Sequence, residues 1–184
     1  MERLLEAIHA APRRAGATRV VAIDGRSGAG KSTLAAALAP RLAAALVALE
    51  DLYGGWDGLE DGVSRLCEEV LSPLARGRAA RVPRYDWDAG EWLEPRTLES
   101  PATLIVEGVG AGALAAAPYT SVLVWMRAPT TLRHGRALNR RPADAGAWER
   151  WARQEDAYIE RERPDQRADF VIQSAQGATS SGPA

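Results

Sequence analysis

An apolar run that breaks into glycines limits the fold of this chain more than any other feature: Val20-Val21-Ala22-Ile23-Asp24 leads directly into Gly25-Arg26-Ser27-Gly28-Ala29-Gly30-Lys31-Ser32-Thr33. The segment reads as a buried strand, a tight turn and the start of a helix, and Gly25 to Ser32 match GxxxxGK[ST], the spacing of a phosphate-binding loop. Gly25, Gly28 and Gly30 let the backbone curl until successive N–H groups face one anion, and the missing side chains permit close approach. The helix beginning near Lys31 adds the positive end of its dipole. Lys31 supplies an ammonium for the outer phosphates, and Ser32 a hydroxyl for Mg2+. Gly25, Ser27, Gly28, Ala29, Gly30, Lys31, Ser32 and Thr33 are therefore the expected contacts of a nucleoside triphosphate. A strand-turn-helix opening also sets the class as α/β, with ligand outside the carboxyl ends of parallel strands.

At 184 residues the chain is expected to form a single domain over residues 1–173. Its 23 Lys and Arg against 24 Asp and Glu leave a formal charge of -1, so no overall field recruits nucleic acid or an anionic membrane, and neither is expected as a partner. The one cysteine, Cys67, excludes an internal disulfide and a cysteine-cluster zinc site. No apolar stretch reaches the roughly eighteen residues of a membrane span, and Glu2, Arg3 and Glu6 interrupt the start. A cytoplasmic location is expected. Nothing in the sequence speaks to an oligomeric state.

Leu4, Leu5 and Ile8 predict a short amphipathic helix before Pro12, and Leu34, Leu38 and Leu42 a helix after the loop that kinks or stops near Ala39, ahead of Pro40. Ala45–Leu49 reads as a second buried strand, followed by Glu50-Asp51-Leu52-Tyr53. A carboxylate just past a strand end lies where such folds bind ligand, so Asp51 is a candidate proton acceptor or metal-water ligand, with a turn or helix cap as the alternative. Residues 59–76 read as a surface helix whose apolar face is Val63, Leu66, Val70, Leu71 and Leu74. The stretch 81–92 is expected to be an irregular binding loop or lid. Within it Arg84, Tyr85 and Asp86 are placed to orient polar groups, and Trp87 and Trp92 to stack on a ring or cover a sheet edge. Thr103–Val106 reads as a third strand ending in Glu107, the available carboxylate for the Mg2+ shell beside the first strand, or a turn acid.

Ser121–Met126 reads as a fourth strand ending at Arg127. From Thr131 to Arg141 a helix would set Arg133, Arg136 and Arg140 on one side, where Arg133 and Arg136 reach across bound phosphates; a solvated helix face is the alternative. Ala147–Arg163 reads as a helix, with Trp151, Glu155 and Tyr158 packing it beneath the arginines, and Ala168–Ile172 as a fifth strand. Gln173, just past it, is a candidate adenine contact. Residues 174–184 are Ser, Gly, Ala and Pro rich and read as a disordered tail.

With Gly25–Thr33, Asp51-Leu52-Tyr53, Glu107-Gly108, Arg133–Arg141 and Ala168-Asp169 in place, most of residues 18–173 resembles the uridine kinase and phosphoribulokinase group of phosphate-loop kinases. The resemblance implies a five-stranded parallel sheet flanked by helices, a short arginine-bearing lid, and transfer of the terminal phosphoryl of Mg-ATP to a hydroxyl of a small metabolite, a nucleoside in the first instance. It makes Asp51 the acceptor-activating carboxylate and Tyr53 a lining residue of the acceptor pocket. Tyr85-Asp86-Trp87 falls where uridine kinases have an aromatic residue, an aspartate and a histidine near the acceptor, so here Trp87 stands in place of the histidine. The β-hairpin inserted in that family reads as shortened between Asp51 and Leu104. Other readings remain open: a kinase of phosphorylated acceptors, held by Arg84 or Arg127, and a regulatory NTPase. A GTPase switch is disfavoured because the chain has no NKxD segment.

Overall fold

The computed structural model describes residues 1–140 and 145–174; the expected tail beyond Ser174 lies outside the described residues. Seven strands are found among them: β1 Arg19–Asp24, β2 Ala45–Ala48, β3 Ala80–Asp86, β4 Glu91–Leu98, β5 Thr103–Glu107, β6 Val122–Arg127 and β7 Phe170–Gln173. Five form a sheet in the order β2-β5-β1-β6-β7, with parallel pairing throughout. The helices are α1 Glu2–Ala10, α2 Lys31–Leu38, α3 Leu59–Arg65, α4 Ser72–Ala75, α5 Thr130–Arg140, α6 Ala145–Glu162 and α7 Pro164–Arg167. A wide π turn, Leu66–Leu71, joins α3 to α4, so the helix read over 59–76 is present in three pieces. The α/β class and the five-stranded parallel sheet are as the sequence indicated.

Alternation along β1 builds both faces of the core, because successive strand side chains point to opposite sides. Val20 and Ala22 join a cluster with Leu104, Val106, the 59–75 helix and Trp151 and Tyr158 of α6. Val21 and Ile23 join another with α1, Leu34, Leu38, Ile105 and Val124. Central strands β1 and β5 are apolar without interruption because both faces are covered. β2 is corrected from a buried strand to an edge strand, with Leu46 exposed. α2 ends at Leu38, as Pro40 demands.

The larger correction concerns residues 81–92. They form most of an antiparallel hairpin, with Arg84 opposite Leu93, Tyr85 opposite Trp92 and Asp86 opposite Glu91. Its turn holds Gly90 at φ 73°, and Asp86 Oδ1 accepts the N–H groups of Asp88 and Ala89. Pro83 and Pro95 hid the strands from a sequence reading. They are tolerated because a two-stranded ribbon is all edge, and the register shifts between Val82 and Arg84. The hairpin read as shortened is present.

Asp24 ends β1 fully buried. Its carboxylate accepts N–H bonds from Gly25 (2.6 Å), Gly110 (3.1 Å) and Gly112 (2.9 Å) and an O–H bond from Tyr158 (2.6 Å). One side chain thereby ties the glycine loop, the turn after β5 and α6 together. Removing the phenol donor from so buried an acceptor is expected to cost about 1–3 kcal/mol. Tyr158→Phe should lower the unfolding free energy by that amount, read in urea titration as a lower midpoint at an unchanged slope, since the ring still fills its place.

Candidate functional site

Gly25, Gly28 and Gly30 have φ of 142°, 78° and 94°, the left-handed region in which L side chains are strained. At Gly28 a Cβ would also stand 2.5 Å from the Arg133 carbonyl oxygen of α5. Gly30 caps α2 without a side-chain partner for the first helical N–H groups, leaving those donors for an anion. Lys31 is buried, and its ammonium donates to the carbonyls of Gly25 (2.8 Å) and Arg26 (3.1 Å), across the mouth of the loop. Ala29 is buried beneath, while Ser32 and Thr33 are exposed on the first turn of α2. These features fit a polyphosphate.

α5 lies on the loop. The Arg133 guanidinium donates to the Ser27 carbonyl (3.5 Å) and the Thr130 hydroxyl (3.3 Å), and Arg136 donates to the Gly28 carbonyl (3.2 Å) and the Ser174 hydroxyl (3.1 Å). Burial holds the Arg133 guanidinium below its usual range. The side chain of Arg140 lies outside the described residues. From the other side α6 grips Ser27: Glu155 accepts its N–H (2.8 Å), and the Trp151 indole donates to its hydroxyl (2.9 Å) and to Glu155 (2.9 Å).

Past β2 a single 3-10 turn, Leu49–Leu52, presents Asp51 half-buried. Burial raises its pKa and the neighbouring Glu50 carboxylate adds to the rise, while Arg96 and Arg84 oppose it. Glu107 ends β5 between β2 and β1, in register with Ala48 on one side and Ile23 on the other. It is buried. Asp51 and Glu107 thus follow adjacent strands at the carboxyl edge that carries the loop. Among the described residues no group of three or more His, Cys, Asp or Glu side chains stands ready to hold a metal alone. Ser32, Asp51 and Glu107 are an all-oxygen set of the sort Mg2+ shares with phosphates.

The remaining candidates divide. Tyr53 is buried, not open to a pocket: its hydroxyl donates to the Val109 carbonyl (2.7 Å), its ring packs on Trp151 at 4.7 Å, and burial with four carboxylates in range pushes the phenol pKa well up. Trp87 donates to the Glu50 carbonyl (3.0 Å) and packs edge-on to Trp56 (5.3 Å) and Tyr85 (5.5 Å), so it fastens the hairpin to the acidic turn. Tyr85 packs in turn on Trp92 (5.1 Å), and Asp86 serves the hairpin turn. Arg84 is exposed within electrostatic reach of Asp51. Arg127 is not brought to this group: it lies on β6, beyond β1, paired with Asp165 (3.5 Å) and in register with Gln173. Gln173 is the last residue of β7, not a residue past it.

Sequence reasoning missed Asp24, Arg26 and Arg96. It placed Trp151, Glu155 and Tyr158 on one helical face without seeing that this face binds the loop; their i, i+4, i+7 spacing was the signal. Cys67 is half-buried against the core, with its thiol pushed up to about 11, which suits packing and not nucleophilic attack.

Compared with protein-family models and with curated proteins, the sequence matches none. Solved structures do match. A possible uridine kinase from Bacillus stearothermophilus superposes with a TM-score of 0.70 at 24% identity, covering 93% of this chain and 96% of that one. A protein named as a fructose transport system kinase, from Silicibacter, gives 0.62 at 21% identity over 93% and 96%. Shikimate kinase from Acinetobacter baumannii, in complex with shikimate, gives 0.52 at 17% identity over 88% and 86%. The chain has the phosphate-loop NTPase fold. No helix among the described residues is long and apolar enough to cross a membrane.

The contact of α5 with Gly28 has a direct test. Gly28→Ala adds left-handed strain of roughly 1–2 kcal/mol and drives a methyl into the Arg133 carbonyl. Lifting α5 relieves the clash, so tryptic cleavage at Arg133 and Arg136 should quicken on the order of tenfold, read by mass spectrometry of timed digests.

Proposed function

We propose that this chain is a Mg-ATP-dependent kinase that phosphorylates a hydroxyl of a small metabolite, with a nucleoside as the first acceptor to test. The observation that carries the reading is the half-buried, upward-shifted carboxylate of Asp51 at the sheet edge that also bears the glycine loop. Bound in the loop, Mg-ATP supplies the transferable phosphoryl group. Asp51 takes the proton of the acceptor hydroxyl, and its raised pKa makes it a better base than an ordinary aspartate. Lys31, Arg133 and Arg136 neutralise charge on the phosphate oxygens, while Ser32 and Glu107 supply oxygens to the Mg2+ shell. Gln173 is assigned to the adenine side and Trp87, with Tyr85, to the wall of the acceptor side. The kinase names of the structural neighbours agree with this reading.

A second reading has its own observation. Arg84 and Arg96 both act on Asp51, and two guanidiniums there suit an acceptor that already bears a carboxylate or phosphate. Mg-ATP turnover against nucleosides, nucleotides, sugars and hydroxy acids, read by product mass, decides between the two. Partner capture with ATP but no product on any acceptor would point instead to a regulatory nucleotide-binding protein.

Asp51→Asn should cut turnover by at least about a hundredfold while ATP binding persists; full turnover in that variant removes Asp51 from its role. The pH profile carries the sign. A base must be ionised, so kcat/KM rises with pH through the pKa of Asp51. Glu50→Gln removes a charge that raises that pKa and should move the acid limb to lower pH, whereas Arg96→Ala removes one that lowers it and should move the limb higher.

A further inference from the structure

Arg26 is the loop residue that neither the motif nor the proposed chemistry uses. Its guanidinium lines a cavity of about 400 Å3 whose wall also includes Thr130 and Arg133 of α5 and Glu155 and Asp156 of α6. There it pairs with Asp156 at 2.6 Å and lies 3.8 Å from Glu155. We propose that Arg26 reads the terminal phosphate of the bound nucleotide, leaving Asp156 to form with Arg133 a two-arginine clamp that tells a triphosphate from a diphosphate. The inference rests on the nucleotide-binding reading above.

Three observations carry it. The loop has a direction, and its outer-phosphate end is marked by Lys31: the ammonium that serves those phosphates lies against the carbonyls of Gly25 and Arg26. Arg26 therefore springs from the end where the last phosphate belongs. Second, Arg133 makes only long hydrogen bonds to neutral oxygens, at 3.5 and 3.3 Å, and none of the described ion pairs includes it. It lines the same cavity as Arg26, where the Glu155 carboxylate attracts it, the Arg26 charge opposes it and Asp156 adds a smaller attraction. Two guanidiniums turned toward one space are relieved by an anion between them. Third, the present partner of Arg26 is weakly held. The Arg26 and Asp156 side chains are 31% and 63% exposed, and an ion pair this wet holds by no more than about fivefold in equilibrium. A phosphate of two negative charges competes with it readily.

The measurement is calorimetric titration of the whole chain with Mg-ATP and separately with Mg-ADP, for the wild type, Arg26→Ala, Arg26→Lys and Asp156→Asn. The wild type should prefer ATP. In Arg26→Ala that preference should fall on the order of tenfold with ADP affinity unchanged, which also shows that the loop still folds. Arg26→Lys should fall between, since an ammonium keeps the charge and loses the fork. Asp156→Asn should hold or raise the preference by freeing the guanidinium. An unchanged ratio in Arg26→Ala overturns the proposal. So does an equal loss of both nucleotides, which makes Arg26 a structural part of the loop, and so does a fall in Asp156→Asn matching that of Arg26→Ala, which makes the ion pair itself the functional unit. A wild type that binds neither nucleotide overturns the parent reading together with this one, and is distinct from each of those results.

Discussion

Burial of the Asp24 carboxylate is the constraint on which the rest of the site depends. A carboxyl group taken out of water is costly unless its oxygens are fully engaged. Here both are, by three backbone N–H groups and one phenol. Even so, desolvation outweighs the donors and the nearby Lys31, and the pKa of Asp24 stays above its ordinary value. A buried group held so tightly admits few arrangements of its donors. The first peptide of the glycine loop, the close turn at Gly110–Gly112 and the middle of α6 must therefore stand in one relation to each other. Gly112 shows how little slack exists, since a Cβ there would lie 2.7 Å from Leu123 and 3.1 Å from Asp24.

α6 carries that constraint to the chemistry. Trp151, Glu155 and Tyr158 fall one or two turns apart on one face, and all three engage the segment Asp24–Ser27. Because α5 rests on the same loop from above through Arg133 and Arg136, the loop is held between two helices. The acidic turn is joined to the assembly through rings: Trp151 meets Tyr53 and Trp56, and Trp56 meets Trp87, whose N–H fixes the Glu50 carbonyl. Tilted and edge-to-face ring contacts of this kind are individually modest, near 0.5–1.5 kcal/mol. In series they tie the acidic turn in a rigid frame to α6 and the glycine loop.

The parts legible in the sequence are those whose physics is local. The strand, glycine turn and helix at 20–38 lie in one window, and Asp51 and Glu107 were found because a strand end locates a residue without knowledge of its neighbours. Strand positions came from apolar runs and were right for β1, β5 and β6; β2 was located but misread as buried because alanine, leucine and valine look buried even at an edge. Residues 81–92 were read as an irregular loop for a related reason. Pro83 and Pro95 are breakers in a central strand and harmless in a two-stranded ribbon, and nothing local says which case applies. Asp24 and Tyr158 are 134 residues apart, and their bond has no signature until the sheet brings them together. Tyr53 was given the acceptor pocket by the resemblance alone, and nothing local told of its burial, with its hydroxyl on the Val109 carbonyl and its ring on Trp151.

Lys31 is the only lysine in the chain, against 22 arginines. The one lysine stands where the side chain folds back into a turn of its own backbone. The geometry gives the reason. The ammonium is 8% exposed at residue level and meets two carbonyl oxygens within 3.1 Å, a space suited to a compact point charge with three rotatable donors. A planar guanidinium, with five donors fixed in a fork, would have to spread them over a mouth that Gly25 and Arg26 already fill. Outside the loop the preference reverses. Arg133 and Arg136 reach from α5 to the Ser27 and Gly28 carbonyls and to the Thr130 and Ser174 hydroxyls, which suits a wide, permanently charged fork with several donors.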